Sequence, residues 1–232
     1  SFRRPGGATV RRAPGDEVID VTDSNPAATV PDLDRALGFT IPGRDARGRV
    51  VRIGPVLDAI LAAHAYPPVI EKLLAEALTL TALIGSTLKD PTGQLTIQTQ
   101  AQAGVVRLLV CDYRGGELRG YVQFDAERLA EMPEDPGLFA LFGTGYMAVT
   151  FDLASTGERY QGIVPIDGDT LADAAARYFV QSEQIPTLIR TGMARGADGR
   201  CVGGGLLLQH LPDGEEGRDR LHVRLDHPQW EH

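Results

Sequence analysis

Apolar positions along the chain change period repeatedly, and each change marks an element. Residues 36–41 and 49–53 read as short strands, with the Pro42 to Gly48 stretch turning between them. Gly54-Pro55 then opens a helix, because proline is tolerated in a first turn, and Val56, Leu57, Ile60 and Leu61 recur at helical spacing. Pro67-Pro68 stops it, and a second helix runs over about 69–88. Its first half is amphipathic. Its second half is apolar or small on nearly every side, which predicts burial all round or burial against something that can leave.

Strands follow. Leu95, Ile97 and Thr99 alternate with glutamine and threonine; 105–111 is apolar except for Arg107; Leu118, Gly120, Val122 and Phe124 alternate again. The short turns at Pro91-Thr92-Gly93 and Arg114-Gly115-Gly116 favour antiparallel neighbours. Residues 125–143 carry short helical pieces around Pro133 and Pro136, and 146–153 with 158–165 form a hairpin. Thr170 and Asp173 have capping-box spacing at the head of a helix over about 171–183, and 188–193 with 202–208 make a last hairpin. Blocks of strands separated by helices predict an α+β fold, with antiparallel sheets and packed helices rather than βαβ repeats.

Composition narrows the class. The 232 residues suit one domain with extensions or two small ones; they are 43% hydrophobic and 23% charged, with a net charge of -8. That acidity argues against a nucleic-acid partner held by phosphate contacts. Residues 1–15 run the other way, with Arg3, Arg4, Arg11 and Arg12 and no acid. Among glycines and prolines, they read as a disordered basic arm in preference to a docking element for an anion. No apolar run predicts a membrane span, no secretory h-region follows the arginines, and a cytoplasmic location is expected.

Chemistry is sparse. Cys111 and Cys201 belong to no CxC or CxxC pair, and Cys111 beside Asp112 in an apolar strand reads as inert packing. The histidines (His64, His210, His222, His227 and His232) show no metal-ligand spacing. Gly143-Thr144-Gly145 and Gly203-Gly204-Gly205 border strand-like runs, so neither reads as a phosphate loop. Ser182, Glu183 and Gln184 read as helix-end contacts, and Asp167 and Asp169 as N-terminal helix partners. No catalytic, cofactor-binding or metal-binding set stands out.

The order of segments resembles the heat shock protein 33 (HslO) family of redox-regulated chaperones. ALTLTALIGSTLK (77–89), LTIQTQ (95–100), LRGYVQF (118–124) and GTGYMAVT (143–150) carry the resemblance. ERYQGIVPIDGDTLADA (158–174) and YFVQSEQIPT (178–187) are its most specific pieces, and GGGLLLQHLP (203–212) closes it. The resemblance implies a cytoplasmic, ATP-independent holdase of the stress response. It implies unfolded client proteins as partners, refolding chaperones downstream, and a homodimer that can exchange elements. In the family, a C-terminal domain binds zinc through four cysteines; their oxidation to disulfides expels the zinc and unfolds a linker that had covered the client surface. That motif is not in these residues, so no cofactor is expected here. The organisation implied is a basic arm (1–15), an α+β chaperone body (16–208) and the start of the linker (209–232), read as the N-terminal part of a longer protein.

A holdase needs apolar surface that can be uncovered. The helix over 73–88 has more apolar circumference than one layer would bury. Val56, Leu57, Ile60, Leu61, Leu73, Leu74, Leu78, Leu80, Leu83 and Ile84 are therefore the candidate client surface, with ordinary core as the competing reading. Two other functions stay open. One is an α+β enzyme or small-ligand binder with Tyr160-Gln161-Gly162 and Ser182 to Gln184 lining a pocket. The other is a purely structural dimer subunit.

Overall fold

Most turn signals close antiparallel hairpins, while Pro91-Thr92-Gly93 leads from a helix into a strand, and the hairpins assemble into two sheets around a layer of helices. The computed structural model describes residues 33–41 and 44–210. The basic arm (1–15), the opening of the expected body (16–32) and residues 211–232 lie outside them. Strands β1 (Arg35–Ile41) and β2 (Ala46–Ile53) lead to helices α1 (Pro55–Ala62) and α2 (Pro68–Gly85). Then come β3 (Gln94–Ala101), β4 (Val106–Arg114) and β5 (Glu117–Phe124), short helices α3 (Ala126–Ala130) and α4 (Leu138–Phe142), and hairpin β6 (Gly145–Leu153) and β7 (Glu158–Pro165). Helix α5 (Leu171–Tyr178) runs into a π-helical turn (Phe179–Glu183), and β8 (Thr187–Arg195) with β9 (Cys201–His210) completes the set. One sheet has the order β1-β2-β9-β8 and the other β5-β4-β3-β6-β7, antiparallel throughout. The fold is α+β.

Helix α2 lies between the sheets, touching β2, β8 and β9 on one side and β3, β4 and β5 on the other. From Ala77 to Gly85 every residue is buried. Its two polar side chains there satisfy themselves: the Thr79 hydroxyl donates to the Ala75 carbonyl at 2.8 Å and that of Thr81 to Ala77 at 2.7 Å. Glycines set how closely the sheets approach. A Cβ on Gly203 would stand 2.2 Å from the Thr79 hydroxyl, and one on Gly120 would stand 2.9 Å from Leu74 and Leu78. These positions carry no side chain because the helix occupies that space.

Polar side chains tie the helices to neighbouring elements. Asp34 accepts the Gly54 N–H at 2.8 Å and the Val56 N–H at 3.0 Å, which serves the start of α1 from β1. Its own backbone is left-handed, with φ 66°. Helix α5 has the capping box expected from Thr170 and Asp173. It has a second cap from α2, because the half-buried Glu76 carboxylate accepts the Leu171 N–H at 3.0 Å. The Tyr66 hydroxyl accepts the Val122 N–H at 3.1 Å and donates to the Val122 carbonyl at 3.2 Å, which clamps the free edge of β5.

Several boundaries differ from the pattern. Strand β2 starts at Ala46, three residues early, because Phe39 of the paired strand lies across Gly48 and makes that position fit a sheet. The last turn of the 171–183 helix widens to π geometry and ends at left-handed Gln184 (φ 56°). Strand β9 runs to His210, two residues past the end expected at 208.

Two outcomes follow. Gly203→Val should cost about 1–3 kcal/mol of unfolding free energy in denaturant titration, since the added carbons overlap Thr79. Burial raises the pKa of Glu76 above its ordinary 4.5, against the lowering by the Leu171 and Ala172 N–H groups. The unfolded chain then loses this proton more readily, and the native protein gives up stability as pH climbs from 4.5 to the folded value. The stability of Glu76→Gln minus that of the wild type should therefore grow through that window and be level below it. A gap that stays constant with pH would refute this role.

Candidate functional site

The structure puts Leu57, Leu61, Leu73, Leu74, Leu78, Leu80, Leu83 and Ile84 in the core, each at most 4% exposed. Val56 and Ile60 are half-buried and packed on that core. This burial fits the reading of ordinary core, because α1 and α2 have a sheet on each side that takes up most of their apolar surface. Two layers cover α2, which is the burial all round that its apolar circumference predicts.

The unpartnered apolar surface lies one layer further out. Along β9, Gly203, Gly205, Leu207 and Gln209 are buried, with Gly203 and Gly205 against Thr79 of α2, while Leu206, Leu208 and His210 face the other way. Cross-strand register carries that outer face over the sheet. Leu206 is opposite Val50 and Arg190, Leu208 opposite Gly48 and Leu188, Val50 opposite Leu37, and Gly48 opposite Phe39. Directly paired residues share a face, so Leu37, Phe39, Val50, Leu188, Leu206 and Leu208 form one apolar patch, with Ile41 at its end. Val50 and Ile41 are each 39% exposed, and the others are half-buried. Helices α1, α2 and α5 each touch both sheets, which places them on the inner side. Among the described residues nothing packs on the outer face.

The five-stranded sheet presents a different outer face. Asp112 accepts from the Thr96 hydroxyl at 2.5 Å and from Arg119 Nε at 2.6 Å, and Gln161 donates to Thr150 at 2.8 Å. A hollow of about 730 Å³ on this face is lined by Gln98, Gln100, Gln102, Tyr146 and Ile163 among others. Amides and aromatic rings there offer no acid–base pair. A second hollow, of about 610 Å³, lies between the sheets beside Val51, Ile53, Val56 and Leu118.

Of the residues of the enzyme reading, Gln161 lines the hollow of about 730 Å³, and Gly162, Tyr178 and Ser182 pack against one another. Tyr160, Gln161 and Gly162 lie in strand β7, not in a loop, and Ser182 and Tyr178 press on Gly162, where a Cβ would be 2.8 Å and 2.2 Å away. The Tyr178 hydroxyl donates to Glu183 at 2.8 Å, and burial raises its pKa. Asp167 pairs with Arg177, and the Asp169 N–H donates to Asp173. His64 follows the end of α1 and stacks on Tyr66 with ring centroids 4.9 Å apart. His222, His227 and His232 lie outside the described residues, and among the described residues no three His, Cys, Asp or Glu side chains gather as metal ligands. No helix there is long and apolar enough to cross a membrane.

Sequence reading passed over this sheet face, although one signal was present. Leu206-Leu207-Leu208 is apolar on both sides of one strand, which predicts contact on both faces of the sheet. Both cysteines are buried, and burial raises the thiol pKa of each. Ellman's reagent should accordingly titrate neither thiol in the native protein and both after denaturation; rapid native labelling of either would contradict this packing.

Comparison with known proteins gives a consistent picture. A family model described as Hsp33 protein matches residues 34–229. A protein called 33 kDa chaperonin from Caulobacter vibrioides is 40% identical over 216 residues, which cover 90% of this chain and 70% of that protein. Another of that name, from Yersinia pestis, is 40% identical over 190 residues, covering 81% of this chain and 62% of its own. The crystal structure of the 33 kDa chaperonin (heat shock protein 33 homolog) from Thermotoga maritima superposes with a TM-score of 0.66 at 25% identity, over 76% of this chain and 60% of that one. The chain thus spans 60–70% of the length of these relatives.

Proposed function

The chain belongs to the Hsp33 family, and from that premise we propose that it is the client-holding body of an ATP-independent chaperone, with the outer face of the four-stranded sheet as its landing surface. The observation that carries this reading is the patch of Leu37, Phe39, Val50, Leu188, Leu206 and Leu208, an apolar sheet face with no described element packed on it. Unfolding proteins expose apolar side chains in no fixed sequence. A flat apolar face accommodates them because hydrophobic contact is non-directional and scales with area. No bond is made or broken, so no nucleophile, cofactor or nucleotide is required.

The finer features expected of the family belong to the same proposal. The working unit is a cytoplasmic homodimer that passes clients to refolding chaperones. Redox control, through zinc release and disulfide formation, belongs to a cysteine-rich region that these 232 residues do not contain. Holding by this chain is therefore independent of oxidant. Charge elsewhere on the body keeps a loaded complex soluble, in line with the net charge of -8.

Light scattering of a thermally denatured test enzyme checks the proposal. The chain should suppress aggregation without nucleotide, equally in reducing and oxidising buffer. Val50→Asp with Leu208→Asp should weaken suppression severalfold while circular dichroism stays native, because both side chains point away from the core. Full suppression by that double variant would move the client site elsewhere, and an oxidant requirement would refute constitutive holding.

A further inference from the structure

The four-stranded sheet is basic in an acidic protein. Its strands contain Arg35, Arg47, Arg49, Arg52, Arg190 and Arg195 and no aspartate or glutamate. The strands of the other sheet balance Arg107, Arg114, Arg119 and Arg159 against Asp112, Glu117, Asp152 and Glu158. The whole chain carries -8, so the asymmetry is local.

Three of these arginines belong to the outer, apolar face. Arg35 and Arg52 are direct cross-strand partners, one position along from the Leu37–Val50 pair on that face, and Arg190 is directly opposite Leu206. Arg52 and Arg190 are exposed, and among the described residues no carboxylate forms an ion pair with either. Arg190 donates only locally, from Nη1 to the Ile189 carbonyl at 2.9 Å. Arg195, in contrast, is matched inside the body by Glu71 at 2.8 Å.

From this juxtaposition we infer that the face selects its clients by charge, taking apolar stretches flanked by aspartate or glutamate and rejecting equally apolar stretches flanked by lysine or arginine. The inference rests on the holdase reading and names the client class for that same face. Hydrophobic contact supplies affinity without sequence preference, whereas guanidinium groups at the border add charge-assisted bonds to carboxylates and repel cations. The remaining acidic surface of the body repels acidic polypeptide, so this sheet is where such clients are steered. A nucleic acid or another bare polyanion would satisfy the arginines yet leave Leu37, Phe39, Val50 and Leu206 uncovered, which favours polypeptide.

The test is fluorescence anisotropy on the whole chain with two labelled peptides that share one apolar centre and differ only in glutamate or lysine flanks. The glutamate peptide should bind about tenfold more tightly at low salt, and the gap should shrink as salt rises toward roughly 0.3 M. Arg52→Glu with Arg190→Glu should reverse the order, and Arg52→Gln with Arg190→Gln should abolish it, each with unchanged circular dichroism. Equal binding of both peptides overturns charge selection and leaves the holdase reading standing. Binding of neither overturns both. Displacement of the glutamate peptide by single-stranded DNA of matched charge, at equal or lower concentration, overturns the polypeptide assignment.

Discussion

The structure depends on burying a helical segment that has no polar side. Between Ala77 and Gly85, α2 carries only Thr79 and Thr81 as polar side chains, and both hydroxyls turn back to its own backbone. One sheet could cover at most half of such a cylinder. Each leucine left outside would forfeit about 1.5–3 kcal/mol, so a second sheet is required, and the remaining elements are arranged to supply it. Glycines at 120, 203 and 205 let both sheets come close, and α1 and α5 fill the layer on either side.

That solution moves the exposed apolar surface. A helix consumed on all sides has nothing left for a partner, while a sheet covering it turns a second face outward. In the five-stranded sheet that face mixes glutamine, threonine and matched ion pairs with the exposed side chains of Tyr121, Tyr146 and Ile163. In the four-stranded sheet it is built from leucine, valine and phenylalanine, with arginines beside them. The two sheets share one core and differ in what they offer outside, and the functional proposals stand on that difference. Side chains reaching between elements, such as Asp34 at the head of α1 and Glu76 at the head of α5, tie the helical layer to its neighbours.

Much of the architecture was legible in the residues alone. Alternation gave β3, β5 and the β6–β7 hairpin; Pro55, Pro67 and Pro68 bounded the helices; Thr170 and Asp173 announced a capping box that is present. These are local signals, since each follows from interactions within a few residues. The order of motifs also placed the chain in its family, because the pieces from 77–89 to 203–212 occur in one fixed succession. The apolar character of α2 was equally plain, but periodicity measures how greasy a helix is and not how many layers surround it. Leucines such as Leu78 and Leu83 therefore read either as client surface or as core, and the fold buries them.

What the sequence by itself determined was the list of elements, the α+β class, the family and the absence of a recognisable catalytic motif. What only the tertiary structure decided was which apolar side chains face outward. Strand register and sheet order join residues far apart in the chain, and Leu37, Val50, Leu188 and Leu206 become one surface only when β1, β2, β9 and β8 lie side by side. A one-residue shift of register would turn that set inward, and no local pattern specifies which face another layer will cover.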